Sequence, residues 1–88
     1  MKKDIFEKDI LNFTKKALKF IYKDSTFVFD VTLNSSKLFS EVEIEIWDDD
    51  DLIYFYSIII YIDGKKQGKK ESLLSEFLYD LFSSIIDK

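Results

Sequence analysis

The spacing of apolar residues changes twice along this 88-residue chain, and these changes limit the folds open to it. Between residues 4 and 22 apolar side chains recur every three or four positions, which is the spacing of one buried helix face. From residue 27 to residue 47 side chains alternate with a period of two, as they do in half-buried strands, and residues 52–62 form a β-branched and aromatic run that predicts a third strand. Helical spacing returns over residues 71–86. The order predicts an α+β fold of the type α-β-β-β-α.

Turn-forming residues divide the middle region into three strands. Residues 34–37 and the four aspartates at 48–51 are typical turn sequences, and a loop over residues 63–70 holds both glycines. Short connections of this kind join antiparallel neighbours. We therefore expect residues 1–88 to form a single α+β domain, a three-stranded antiparallel meander packed by N- and C-terminal helices.

Turns at these two positions also predict which residues face each other across the strands. They pair Ile46 with Ile53 and Phe29 with Val42, and both pairings collect the apolar side chains on one face, as a sheet requires. The second face then carries the acidic residues, with Asp30 directly opposite Glu41. A bulge in the long third strand would shift this register by one residue.

Acidic residues are concentrated in one segment of the chain. The net charge is only −4, yet residues 38–64 contain eight acidic residues and no lysine. Because an ordinary surface mixes charges of both signs, this segment predicts a face that binds a basic partner. The alternative is a solvated sheet surface whose charge maintains solubility. The residues expected to contact the partner are Glu41, Glu43, Glu45, Asp48, Asp49, Asp50, Asp51, Tyr54 and Tyr56.

The residue types that the chain lacks argue against catalysis. It contains no histidine and no cysteine, and all 13 cationic residues are lysines. Ser–His and Cys–His catalysis, thiolate zinc sites and disulfide scaffolds are therefore excluded. The four consecutive aspartates lack the DxDxDG spacing of a calcium loop. We expect a protein that is not an enzyme, with no metal site and no other cofactor.

Two further features leave alternative functions open. The third strand, over residues 52–62, is apolar on both of its faces. Either a helix covers part of its second face, or the strand joins a homodimer or larger homo-oligomer. The four lysines of residues 65–70 suit nucleic-acid phosphates, although a solvated loop is the simpler interpretation and we expect no direct nucleic-acid binding. Neither a targeting segment nor a membrane-length apolar run is visible, so we expect a cytoplasmic protein without membrane contact.

The helix-then-strands order and the acidic segment together resemble small phage anti-CRISPR proteins that act as DNA mimics. This resemblance implies that carboxylates of Glu41, Glu43, Glu45 and residues 48–51 replace DNA phosphates in a basic groove of a CRISPR effector, in the host cytoplasm. An immunity protein for a nuclease toxin would have the same pattern. The element order also resembles double-stranded RNA-binding domains, in which Lys69 and Lys70 would mark the basic start of the last helix.

Overall fold

The computed structural model describes the backbone of residues 2–86 and the side chains of residues 3–84. It confirms an α+β fold with an N-terminal helix, an antiparallel sheet and a C-terminal helix, but the sheet has four strands, not three. The elements are α1 (Lys2–Ile21), β1 (Val28–Ser35), β2 (Phe39–Asp48), β3 (Asp51–Ile62), β4 (Lys65–Lys66), α2 (Lys70–Leu81) and a π-helical turn (Phe82–Ile86).

The fourth strand follows from a tight turn at Asp63 and Gly64. Both residues have positive φ angles, 53° and 76°, which is the backbone geometry of a two-residue hairpin turn and the reason for its Asp-Gly preference. The turn pairs Ile62 with Lys65. The expectation of a continuous loop over residues 63–70 was therefore wrong at its start, where β4 adds a short fourth strand.

The first hairpin turns later than the sequence predicts. Hydrogen bonds between Ser36 and Phe39 close its loop, so Phe29 lies opposite Ile46 and the predicted pairing with Val42 is wrong. The shift is an even number of residues. Because side-chain direction repeats every two residues, the apolar side chains of β1 still face the helices.

A bulge in β3 changes the second hairpin more severely. Trp47 pairs with Leu52 next to the turn, but Ile46 pairs with Tyr54, so that Ile53 is the extra residue. The predicted pairing of Ile46 with Ile53 is therefore wrong. A slip of one residue moves the following side chains to the opposite face, so this bulge turns Tyr54, Tyr56 and Ile58 towards the core. A second register shift, at Ile60, restores the original alternation and pairs Tyr61 with Ser40.

The bulge places Tyr54 and Tyr56 on the helix-covered face, so their predicted position on the acidic face is wrong. The Tyr54 side chain is only 6% exposed. The Tyr56 ring packs 5.5 Å from the Phe77 ring of α2, centroid to centroid. Both tyrosines are part of the core and cannot anchor a partner on the acidic face.

Both helices pack on one face of the sheet, which curls around them. α1 covers β1 and β2, while α2 covers β3 and also contacts α1. Burial of each large apolar side chain between these layers contributes about 1.5–3 kcal/mol. The core consists of Ile10, Leu18, Val42, Ile44, Ile46, Tyr54, Ile58, Ile60, Leu73, Leu74, Phe77 and Leu81. Among the described elements, none covers the opposite face of the sheet.

Candidate functional site

The face of the sheet that neither helix covers, the open face, carries a column of three glutamates. Glu41, Glu43 and Glu45 alternate along β2 with the fully buried Val42 and Ile44, so all three carboxylates point away from the helices. Successive members of such a column lie about 6.6–6.8 Å apart along the strand. The prediction that these glutamates share one face is confirmed.

The β1 side of this glutamate column is polar. Asp30 lies directly opposite Glu45, not opposite Glu41 as predicted, and two like charges in this position are destabilising. The Asn34 side-chain amide donates hydrogen bonds to carboxylate oxygens of Glu41 and Glu43. Asn34 therefore orients two of the three glutamates while leaving their negative charge uncompensated.

Within residues 3–84, the ion pairs of the structure lie away from the glutamate column. They join Lys3 to Glu7 along α1, and Lys70 at the start of α2 to Asp9 of α1. The carboxylates of the open face consequently have no cationic partner in the described part of the chain. A row of this kind produces a negative potential that attracts cationic surfaces and speeds their association.

The β3 side of the column is apolar and exposed. Phe55, which lies opposite Glu45, is 50% exposed, and Leu52 is 46% exposed. Trp47 continues the column towards the turn, and its indole N–H donates to Glu45 Oε1 at 3.4 Å. Ile59 adds another apolar side chain on this face. Exposed apolar side chains next to a carboxylate row are typical of protein interaction surfaces.

Phe55 is a residue of this face that the sequence did not reveal. Regular alternation from the turn assigns Phe55 to the core, and only the bulge at Ile53 brings it to the surface. Trp47 was detectable in principle, because it continues the alternation of the three glutamates along β2. The two aromatic side chains of the site are therefore the half-buried Trp47 and the exposed Phe55, in place of the predicted tyrosines.

The four aspartates form the exposed turn that joins β2 and β3. Asp48 pairs with Asp51, and Asp49 has a φ of 55°, a left-handed conformation that aspartate tolerates better than most residues. The turn extends the negative charge of the open face to the end of the sheet. In the described part of the chain, no group of three or more acidic side chains is arranged to hold a metal ion.

The two predicted tyrosines form a buried cluster with Asp80 of α2. Their rings stack at 6.3 Å, and the Tyr54 hydroxyl donates to Asp80 Oδ2 at 2.7 Å. Burial raises the pKa of both hydroxyls above the ordinary tyrosine value, and the nearby Asp80 carboxylate raises the pKa of both further. The cluster stabilises the contact between β3 and α2, away from the acidic face.

The lysines of residues 65–70 are partly engaged with α1. The Lys66 ammonium lies 4.1 Å from the centroid of the Phe6 ring, a cation–π contact, and Lys70 pairs with Asp9 at 3.0 Å. Lys65 and Lys69 are exposed. This segment therefore offers fewer accessible cations to a nucleic-acid backbone than its sequence suggests.

Comparison with known proteins provides no relative for this chain. It has no significant match among protein-family models, curated proteins or solved structures. The chemistry of its own open face is therefore the basis for assigning a function.

Within residues 2–86, no helix combines the length and the apolar character needed to cross a membrane. α1 is long enough, at 20 residues, but it has charged side chains throughout its length.

Proposed function

We propose that this protein is a non-catalytic binding protein whose open sheet face engages a basic surface on another protein. The observation that supports this most directly is the glutamate column on β2, which has no cationic partner among the described side chains. Proteins that bind nucleic acids present basic surfaces of this kind to phosphate groups. A partner of that class would supply the lysines and arginines that this face lacks.

The charge spacing on the open face suits such a partner. One strand of DNA carries about one charge per 3.4 Å of helix axis, whereas the glutamates follow one another about every 6.6–6.8 Å. The column thus has roughly half the linear charge density of a DNA strand. That density favours a groove with a few well-placed cations over a highly charged, non-specific surface.

The apolar border of the column supplies the other half of the proposed interface. Aromatic residues contribute most to binding when they are desolvated at the centre of a contact. Trp47 and Phe55 lie beside Glu45 and would take this position in the proposed interface. Binding would then combine long-range attraction through the carboxylates with desolvation of these two rings.

The partner that we propose is a CRISPR effector or another nuclease, which this protein would inhibit in the cytoplasm by occupying its nucleic-acid groove. The acidic face and the order of the elements, with their resemblance to anti-CRISPR DNA mimics, favour this assignment. An immunity protein for a nuclease toxin would use the same surface in the same way. In either case the protein inhibits by binding and has no catalytic role.

The test compares two triple charge reversals with the same change in net charge. Glu41→Lys, Glu43→Lys and Glu45→Lys together should abolish capture of nucleic-acid-binding proteins from host lysate. The control combines Asp24→Lys, Glu71→Lys and Glu76→Lys, all at exposed positions away from the open face, and should retain capture. Duplex DNA should compete with the unmodified protein for each captured partner. Equal capture by both variants, or capture insensitive to DNA, would contradict the proposal.

A further inference from the structure

Strand β3 has a long unpaired edge. In the sheet order β1-β2-β3-β4 it lies between β2 and a neighbour of only two residues, Lys65–Lys66, which pairs with Tyr61 and Ile62. The Gln67 N–H also bonds to the Ile60 carbonyl, at 2.8 Å. Residues 51–59 therefore have no strand neighbour on this side within the described chain.

This edge has few of the features with which proteins usually prevent strand pairing. The bulge at Ile53 is one of them, but from residue 52 to residue 62 there is no charged residue and no proline, which are the other common protection of an edge. The edge strand on the other side of the sheet, β1, has Asp30 in its middle and is shorter. The β3 edge is thus the one that favours pairing with another strand.

We propose that a second copy of this chain pairs with this edge, so that the two β3 strands run antiparallel about a two-fold axis. A two-fold contact uses the same residues from both copies and closes the assembly at two chains. The free edge is bounded by the turn at Asp51 and by β4 after Ile60. Its midpoint, and hence the axis, lies near Phe55.

Charge complementarity favours this arrangement. Antiparallel pairing centred near Phe55 brings the aspartate turn of each copy to the β4 end of the other copy. Exposed lysines, Lys65 and Lys69, are located there. By symmetry the attraction between aspartates and lysines occurs twice, once at each end of the paired strands.

Electrostatic repulsion argues against the main alternative, in which two open faces stack on each other. Stacked sheets lie about 10 Å apart with the side chains of both filling the space between them, so the carboxylates of the two glutamate columns would be in contact. Edge pairing separates the columns by three strand spacings, roughly 14 Å, beyond the screening length of about 8 Å at physiological ionic strength. It also places the exposed Phe55 side chains of both copies side by side on one continuous face.

The proposed dimer does not depend on the proposed function, because it uses the β3 backbone and leaves the glutamate column on β2 open. The first test is sedimentation equilibrium of the full chain, with an expected mass of twice 10.5 kDa. Phe55→Lys should abolish the dimer, since it places two lysines together near the axis. Val28→Lys is the control and should leave the dimer intact, because Val28 is an exposed residue (60%) at the opposite edge of the sheet. A wild-type monomer at every concentration, or equal behaviour of the two variants, would overturn the proposal.

The second test exchanges the charges at the two ends of the paired strands. Asp48→Lys with Asp50→Lys should weaken self-association several-fold at low salt, and so should Lys65→Glu with Lys69→Glu. Asp49 is left unchanged because its positive φ disfavours most replacements. All four changes in one chain should restore association, since each reversed turn again meets an opposite charge. Failure of the combined variant to recover would contradict the antiparallel arrangement.

Discussion

The hydroxyl of Tyr54 in β3 donates a 2.7 Å hydrogen bond to the Asp80 carboxylate in α2. This contact joins the strand that carries the bulge to the helix that covers it. It also places a polar pair at the border of an apolar core, where an unpaired partner is costly. The position of Tyr54 in this pair is the clearest sign of which β3 residues face inward.

Replacing Tyr54 with phenylalanine should lower the free energy of unfolding by about 1.5–3 kcal/mol, the usual contribution of a hydrogen bond to a charged group. The half-buried Asp80 carboxylate would lose its donor while the ring remained packed. Urea denaturation measures the change. Tyr79→Phe is the matched control, because Tyr79 lies next to Asp80 on α2 but its side chain is 77% exposed. Equal losses in the two variants would show that the hydrogen bond contributes nothing specific.

The raised pKa of Tyr54 and Tyr56 predicts a loss of stability in alkaline solution. The folded protein retains these phenolic protons to a higher pH than the unfolded chain, whose tyrosines titrate near pH 10. The contribution of these two hydroxyls to the free energy of unfolding is thus fully present below about pH 10 and decreases as the pH rises above it. Thermal unfolding measured between about pH 8 and pH 11 should show the decrease. The decrease in melting temperature should be smaller in Tyr54→Phe than in Tyr79→Phe. The same dependence on pH in both variants would contradict the role of Tyr54.

Reversing the charge of Asp30 should stabilise the fold. Asp30 and Glu45 are directly opposite on neighbouring strands, and an opposite-charge pair at such a position contributes roughly 0.2–1 kcal/mol. Asp30→Lys should therefore raise the urea midpoint. Asp24→Lys is the control, because it changes the net charge equally but lies in the connection between α1 and β1. A comparable rise of its urea midpoint would show that net charge alone, and not the pair with Glu45, is responsible.

Deleting single residues from β3 should distinguish the bulge from the regular part of the strand. Removal of Ile53, the extra residue, leaves Ile46 opposite Tyr54, and the protein should fold with a moderate loss of stability. Removal of Ser57 would turn one part of β3 out of the core, either Tyr54 and Tyr56 or Ile58 and Ile60, and a loss of more than about 4 kcal/mol is expected. Near-ultraviolet circular dichroism reports the tyrosine environment in both variants. Folding of the Ser57 deletion would show that either face of β3 can form the core.

Much of this architecture could be predicted from local patterns. The helical spacing located α1 to within two residues of its observed start, and strict alternation in β2 placed the three glutamates together on the open face. The Asp63-Gly64 dipeptide is itself a hairpin signal, although the expected loop over residues 63–70 included it. The final helix was predicted to residue 86, whereas the α-helix ends at Leu81 and a π-helical turn follows.

The face of β3 could not be predicted, and half of the candidate site depends on it. Tyr54, Tyr56, Ile58 and Ile60 are apolar or aromatic, but so are Phe55 and Ile59. Either set can face a core when the strand is considered alone. Periodicity gives no preference in such a case, because a slip of one residue exchanges two nearly equivalent faces.

The sequence by itself therefore determined the helices, the antiparallel strands and the acidic face of β2, since these depend on spacing within one segment. Only the tertiary structure decided the position of the bulge at Ile53. Packing of Tyr56 against Phe77 and the hydrogen bond of Tyr54 with Asp80 select one face of β3, and both contacts join residues more than 20 positions apart. The aromatic part of the open face, with Phe55 beside the glutamates, is a consequence of that selection.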